Sequence, residues 1–287
     1  MENDTPQSVH KGLKKGLYVI PTAFTAANIA MGFMAVLWSI RGFNLSFTDP
    51  LKAAGYFDYA AIAIGLAILF DTLDGRVARM TRTATEIGVQ FDSLADVLTF
   101  GIAPIALIFS WGFAPSFGES STEYAFGIFL LFMYLMCGAF RLARFNLQAT
   151  RPRVLKEGSP KLDKKNFVGL PIPPAAGLMA SIVHFSPTPL NFHGEGNAQF
   201  YAMLMMVLLA ILGILMVSTL RYTSFKTTGT GRSNLYLLLL IAGIGMLIWL
   251  YSRYMLLILS TAYVSHGVIW FLLSQLRRSS VKTEAEA

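Results

Sequence analysis

The stretch from 71 to 96, DTLDGRVARMTRTATEIGVQFDSLAD, sets four aspartates beside long apolar runs. Asp71 and Asp74 are three apart and Asp92 and Asp96 four apart, so each pair shares one face of a helix. The 17 residues between the pairs include Gly75, Thr81, Arg82, Thr83, Thr85 and Gly88, a composition that turns a chain back. Two helices meeting at such a turn point all four acids into one small volume. Negative charges crowded in this way repel unless cations sit among them. An all-oxygen cluster suits hard divalent ions, Mg²⁺ or Mn²⁺.

The rest of the chain says where this cluster lies. Of 287 residues, 54% are hydrophobic and only 14% charged, with a mean hydropathy of +0.55. Soluble domains carry about a quarter charged residues. Apolar runs recur at about 18–40, 59–80, 91–113, 124–145, 169–185, 202–220, 235–251 and 254–276, most of them long enough to cross a hydrocarbon core of about 30 Å. The expectation is an all-α, polytopic transmembrane bundle of about eight spans. Residues 1–17 read as a tail and interfacial segment, 18–232 as a transmembrane core, 233–276 as two additional spans and 277–287 as a charged tail. With both termini cytoplasmic, 20 of the 23 lysines and arginines fall on the cytoplasmic side. That asymmetry follows the positive-inside rule and puts the acids at the cytoplasmic boundary. In a bacterium this means the plasma membrane, with the site facing the cytoplasm.

Composition also removes some function classes. The net charge of +7 comes without the aromatic and basic interleaving of a nucleic-acid module, and anionic headgroups account for it. The single cysteine, Cys137, lies inside an apolar run and excludes an intrachain disulfide. The four histidines have no metal-ligand spacing and read as loop or interface residues.

A carboxylate inside a membrane marks function by default. Three readings of the cluster stand side by side: helix caps and an ion pair with Arg79, a coupling-ion relay in a cation-coupled transporter, and a diphosphate site. The last draws on its neighbours. Gly75 and Ala78 remove bulk beside the acids, and Arg79 adds a fork suited to phosphate.

The spacing Asp71-x-x-Asp74-Gly75-x-x-Ala78-Arg79, eight residues, Gly88-x-x-x-Asp92-x-x-x-Asp96 resembles the signature of the CDP-alcohol phosphatidyltransferases at every fixed position. The resemblance implies a six-helix transmembrane core, a homodimer and a cytoplasm-facing site that moves a phosphatidyl group from a CDP-linked lipid to an alcohol, releasing CMP. It implies that Asp71, Asp74, Asp92 and Asp96 hold two divalent ions, Mg²⁺ or Mn²⁺, and that Asp96 is the general base. It also implies that Asp71, Asp74, Gly75, Ala78 and Arg79 contact the CDP-lipid and that Gly88 is a close-packing glycine. Three more stretches, FRLARFN (140–146), GLPIPPAA (169–176) and LMVSTLRYTSFK (215–226), resemble the family's phosphatidylserine synthase branch. So does TAANIAMGF in the first run, which adds Asn28 to the CDP-lipid contacts.

On that resemblance the partners are CDP-diacylglycerol, L-serine and membrane lipids. Arg141, Arg144 and Lys226 are candidates to pair with the serine carboxylate, as is Asn146 for a further polar contact; snorkelling to lipid phosphate is the plainer role for the cations and a helix-end cap for Asn146. Choline, glycerol phosphate or inositol phosphate as acceptor would use the same core chemistry. Pro171, Pro173 and Pro174 either break a helix near the site or mark where one starts.

Overall fold

A computed structural model describes residues 9–81, 86–150, 166–223 and 233–285. The first helix, α1 (Val9–Leu45), forms a hairpin with α2 (Pro50–Thr81). Small or polar residues recur along α1 at alternating spacings of three and four: Thr25, Asn28, Gly32, Ala35, Ser39, Gly42 and Ser46, all buried. On α2 the matching stripe is Ala53, Phe57, Ala60, Ile64 and Ala67, and the same spacing continues to Asp71 and Asp74. Small residues let membrane helices approach closely, which is what this seam does. A Cβ on Gly42 would stand 2.6 Å from the Phe57 ring, and the Trp38 and Tyr59 rings meet near it. The acids therefore face the bundle because they sit on the register of a packing seam.

The second helix begins nine residues before the expected start of its run. Asp49 caps it: its Oδ1 accepts the Lys52 N–H at 3.2 Å, and Pro50 occupies a first-turn position where a missing N–H is harmless. Apolar runs alone do not reveal such a polar start. At the other end, Gly75 lies inside α2 and Gly88 inside the next helix, so neither glycine makes the turn; the reversal falls to 82–85, outside the described residues.

The next helical run, α3, is continuous from Glu86 to Ser116 but twice widens into π geometry, over Val97–Ile102 and Phe109–Phe113. Pro104 explains the first. Its ring cannot serve the carbonyl four residues back, Phe100, and the buried Tyr134 hydroxyl donates to that oxygen instead at 3.1 Å. Tyr134 belongs to α4 (Thr122–Thr150).

After α4, strand β1 (Asn166–Val168) pairs antiparallel with β2 (Arg221–Thr223), a small exception to the all-α expectation. Gly169 follows β1 with φ +81°, and a Cβ there would meet the Met216 carbonyl at 2.4 Å, so only glycine fits. The prolines mark a start: Pro171 caps α5 (Ile172–Phe185), with Pro173 and Pro174 in its first turn. Helix α6 (Glu195–Val217) then runs to the ribbon. The seventh and eighth expected runs form one helical run, α7 (Ser233–Ala285), broken at Tyr251 by non-helical φ −135° and ψ 46°.

Among the described residues, six helices are long and apolar enough to cross a membrane, and α5 is a shorter apolar helix. At 1.5 Å per residue the 14 residues of α5 reach about 21 Å. The buried core lies where α1, α2, α3, α5 and α6 meet, around Phe57, Phe100, Leu107, Ile172 and Met179. Large apolar side chains such as Phe126, Phe129 and Phe200 point outward, as a lipid-facing surface requires. This is an integral membrane protein.

Candidate active site

Two helices supply the acids. Asp71 and Asp74 project from the seam of α2, and Asp92 and Asp96 from the first turns of α3. One carboxylate oxygen each of Asp71, Asp92 and Asp96 lies within 4.8 Å of the others. The Asp71 and Asp96 carboxylates, on different helices, thus approach one another directly. Two carboxylates sustain such a contact only with a proton or a cation between them. Asp96 Oδ1 is buried with no partner among the described residues. The donor set is all oxygen, partly screened from water and one ligand short of satisfaction, which fits a divalent ion.

Asp74 stands beside this trio. Its carboxylate, 6% exposed, accepts a hydrogen bond from the Thr25 hydroxyl of α1. Thr25 has no place in the motif and is 49 residues from Asp74 in the chain. The signal that finds it is the alternating seam on α1, which includes Thr25 as the α2 seam includes Asp74. The same antiparallel register brings Asn28 level with Asp71. Asn28 is fully buried, and both its side-chain amide atoms lack partners among the described residues. Its backbone carbonyl accepts from Thr99 Oγ1 at 3.3 Å, which ties α1 to the π segment beneath Asp96.

Helix α4 brings the cations. Arg141 is half-buried, and its positive charge lies near the Asp96 carboxylate. Its Nε has no partner among the described residues. Arg144 lies one turn further on and is half-buried. Asn146 donates to Ser93 Oγ at 2.8 Å, next to Asp92, so it fixes the entry of α3 to the end of α4. Ala78 and Arg79 lie in the last turns of α2, where only the backbone is described, and Gly88 is exposed on α3. Lys226 lies outside the described residues.

The acidic motif on two helices of a membrane bundle defines the class, and the sequence comparison agrees: the CDP-alcohol phosphatidyltransferase family model matches residues 18–214. The chain belongs to that family. Among its relatives, the CDP-diacylglycerol–serine O-phosphatidyltransferase of Helicobacter pylori strain 26695 is 32% identical over 258 residues, 89% of this chain and 92% of the relative. The archaetidylserine synthase of Methanothermobacter thermautotrophicus is 33% identical over 218 residues, 75% of this chain and 73% of the relative. A Saccharomyces cerevisiae protein named as the first is 36% identical over 129 residues, 45% of this chain and 42% of its own length.

Proposed function

We propose that this chain transfers the phosphatidyl group of CDP-diacylglycerol to L-serine, giving phosphatidylserine and CMP. The observation that carries the reading is the Asp71, Asp92 and Asp96 oxygen cluster, standing within the eight fixed positions of the family motif. The serine hydroxyl oxygen bonds to the lipid-side phosphorus, the bond from that phosphorus to the CMP oxygen breaks, and the serine proton passes to a base. Direct attack needs no covalent enzyme intermediate.

Divalent ions, Mg²⁺ or Mn²⁺, held by Asp71, Asp74, Asp92 and Asp96 would polarise the phosphoryl oxygens and offset charge on the departing CMP. The chain's own residues do the rest. Asp96 takes the serine proton, a role supported by its open buried oxygen. Thr25 keeps the Asp74 carboxylate oriented. Asn28 contacts the CDP-lipid from the α1 side, together with Gly75, Ala78 and Arg79. Arg141, with Arg144 and Lys226 toward the same boundary, pairs with the serine carboxylate. The cation beside Asp96 supports serine over neutral alcohols.

We place the site at the cytoplasmic boundary, with about eight spans and both termini cytoplasmic, and assign the chain to a homodimer. The test is CMP release by detergent-purified protein given CDP-diacylglycerol with Mn²⁺ or Mg²⁺. Serine, choline, glycerol 3-phosphate, inositol and inositol phosphate are offered separately. Serine-dependent, EDTA-sensitive release is expected. Release with another acceptor alone would keep the family chemistry and overturn serine.

A further inference from the structure

The two acids of α3 stand directly before its first wide turn. Asp96 is the last residue ahead of Val97–Ile102, and at the end of that turn the Ala103 N–H reaches back five residues to the Leu98 carbonyl, where an α-helix reaches back four. Such a turn holds one residue more than an α turn. It therefore rotates the helix before it by about 100° against the helix after it. On an unbroken helix, Asp92 and Asp96 would continue the three-and-four spacing of Thr99, Ala103 and Leu107, which are all fully buried. The wide turn takes the two acids about a quarter turn off that line. In that orientation one oxygen each of Asp92 and Asp96 lies within 4.8 Å of one from Asp71 of α2.

Two neighbouring helices pin the turn. From α4, the fully buried Tyr134 donates its hydroxyl to the Phe100 carbonyl at 3.1 Å. On the α1 side, Thr99 Oγ1 donates to the Asn28 backbone carbonyl at 3.3 Å. Gly32 makes that approach possible, since a Cβ there would stand 2.6 Å from Thr99 Oγ1. Pro104 adds a constraint from within the helix, because it has no N–H to return to Phe100. Inside a membrane an unmet carbonyl is costly, so the Tyr134 hydroxyl holds the turn open where Pro104 denies Phe100 its usual partner.

We propose that Tyr134 is a positioning residue for the acidic site: by holding the wide turn of Val97–Ile102 it sets the angle at which Asp92 and Asp96 meet Asp71. Tyr134 acts through the Phe100 backbone and not on substrate. The inference rests on the reading of the cluster as a divalent-ion site.

The test uses the full-length protein in detergent. Mn²⁺ binding is read from the EPR signal of the free ion, alongside the thermal midpoint and CMP release from CDP-diacylglycerol and serine. Pro104→Ala restores an N–H and lets the helix close to α geometry. It removes a proline from a helix, so the midpoint should hold or rise. Mn²⁺ affinity should nevertheless fall about tenfold, the scale set by groups that orient metal ligands, and CMP release at limiting Mn²⁺ should fall with it. Tyr134→Phe keeps the ring and loses the hydroxyl, and should also weaken Mn²⁺ binding about tenfold. Added to Pro104→Ala it should cost nothing more, since Phe100 then has its donor within the helix. Wild-type Mn²⁺ affinity in both single variants, or affinity that falls only in step with the midpoint, would reduce Tyr134 to packing and overturn the proposal. A wild-type protein that binds no Mn²⁺ and releases CMP without it would overturn the divalent-ion reading itself, and this inference with it.

Discussion

Asp74 shows how much a single side chain in this site depends on a residue outside the motif. Its carboxylate is buried in a membrane helix and is oriented by one neutral hydroxyl, Thr25. Groups that orient a metal ligand are worth about ten- to a hundredfold in metal affinity. Thr25→Val, which keeps the volume and loses the hydroxyl, should therefore raise the Mn²⁺ concentration needed for half-maximal CMP release by about that factor. A Mn²⁺ dependence identical to wild type would remove Thr25 from the site. That Asp71, Asp92 and Asp96 come together was legible from spacing, because i, i+3 and i, i+4 pairs share one face of a helix. Thr25 was not, since a contact across 49 residues is set by the register of the hairpin and not by local pattern. Asn146 was legible as a polar group at a helix end, but its partner Ser93 was not.

At the scale of the elements, the site rests on the fit of α1 against α2 and α3. Gly32 is the closest point. A Cβ there would lie 2.6 Å from Thr99 Oγ1 and 2.9 Å from Thr99 Cα, and backbone cannot yield as a flexible side chain does. Gly32→Val should push α1 off the π segment of α3, lowering the thermal midpoint in detergent and activity together. Overpacking of this kind costs about 1–3 kcal/mol. A variant with wild-type midpoint and turnover would show that the approach is not needed. The helices themselves were readable as apolar runs of membrane length. Their irregularities were not: the early start of α2 hangs on the Asp49 cap, and the widening of α3 on how Tyr134 answers Pro104. The β1–β2 ribbon, three residues a strand, is set by long-range pairing that no run of side chains announces.

For the whole molecule, the orientation proposed from the basic residues carries its own test. With the acids at the cytoplasmic boundary, the loop between α3 and α4 lies outside. With Cys137 replaced by serine, a cysteine at Glu119 should react with a membrane-impermeant maleimide added to intact cells. A cysteine at Arg76, beside the acids, should react only after the cells are opened. The reverse pattern would invert the topology. The support for this orientation is in the sequence, where 20 of 23 basic residues fall on one side. The docking of the last two runs was not legible there, since it lies in the polar contacts of Ser252 and Ser260 across to another helix.

The central claim is that the carboxylate cluster drives metal-dependent transfer of phosphatidyl to serine, and labelled serine tests it most directly. Purified wild type and Asp92→Asn would each be given CDP-diacylglycerol, radiolabelled L-serine and Mn²⁺, and the label in extracted lipid counted. The account predicts label in phosphatidylserine for wild type and its loss on EDTA. In Asp92→Asn, with an unchanged thermal midpoint, it predicts a fall of more than about a hundredfold, since outer-shell changes already cost ten- to a hundredfold. Equal labelling by the variant, or labelling that survives EDTA, would contradict it.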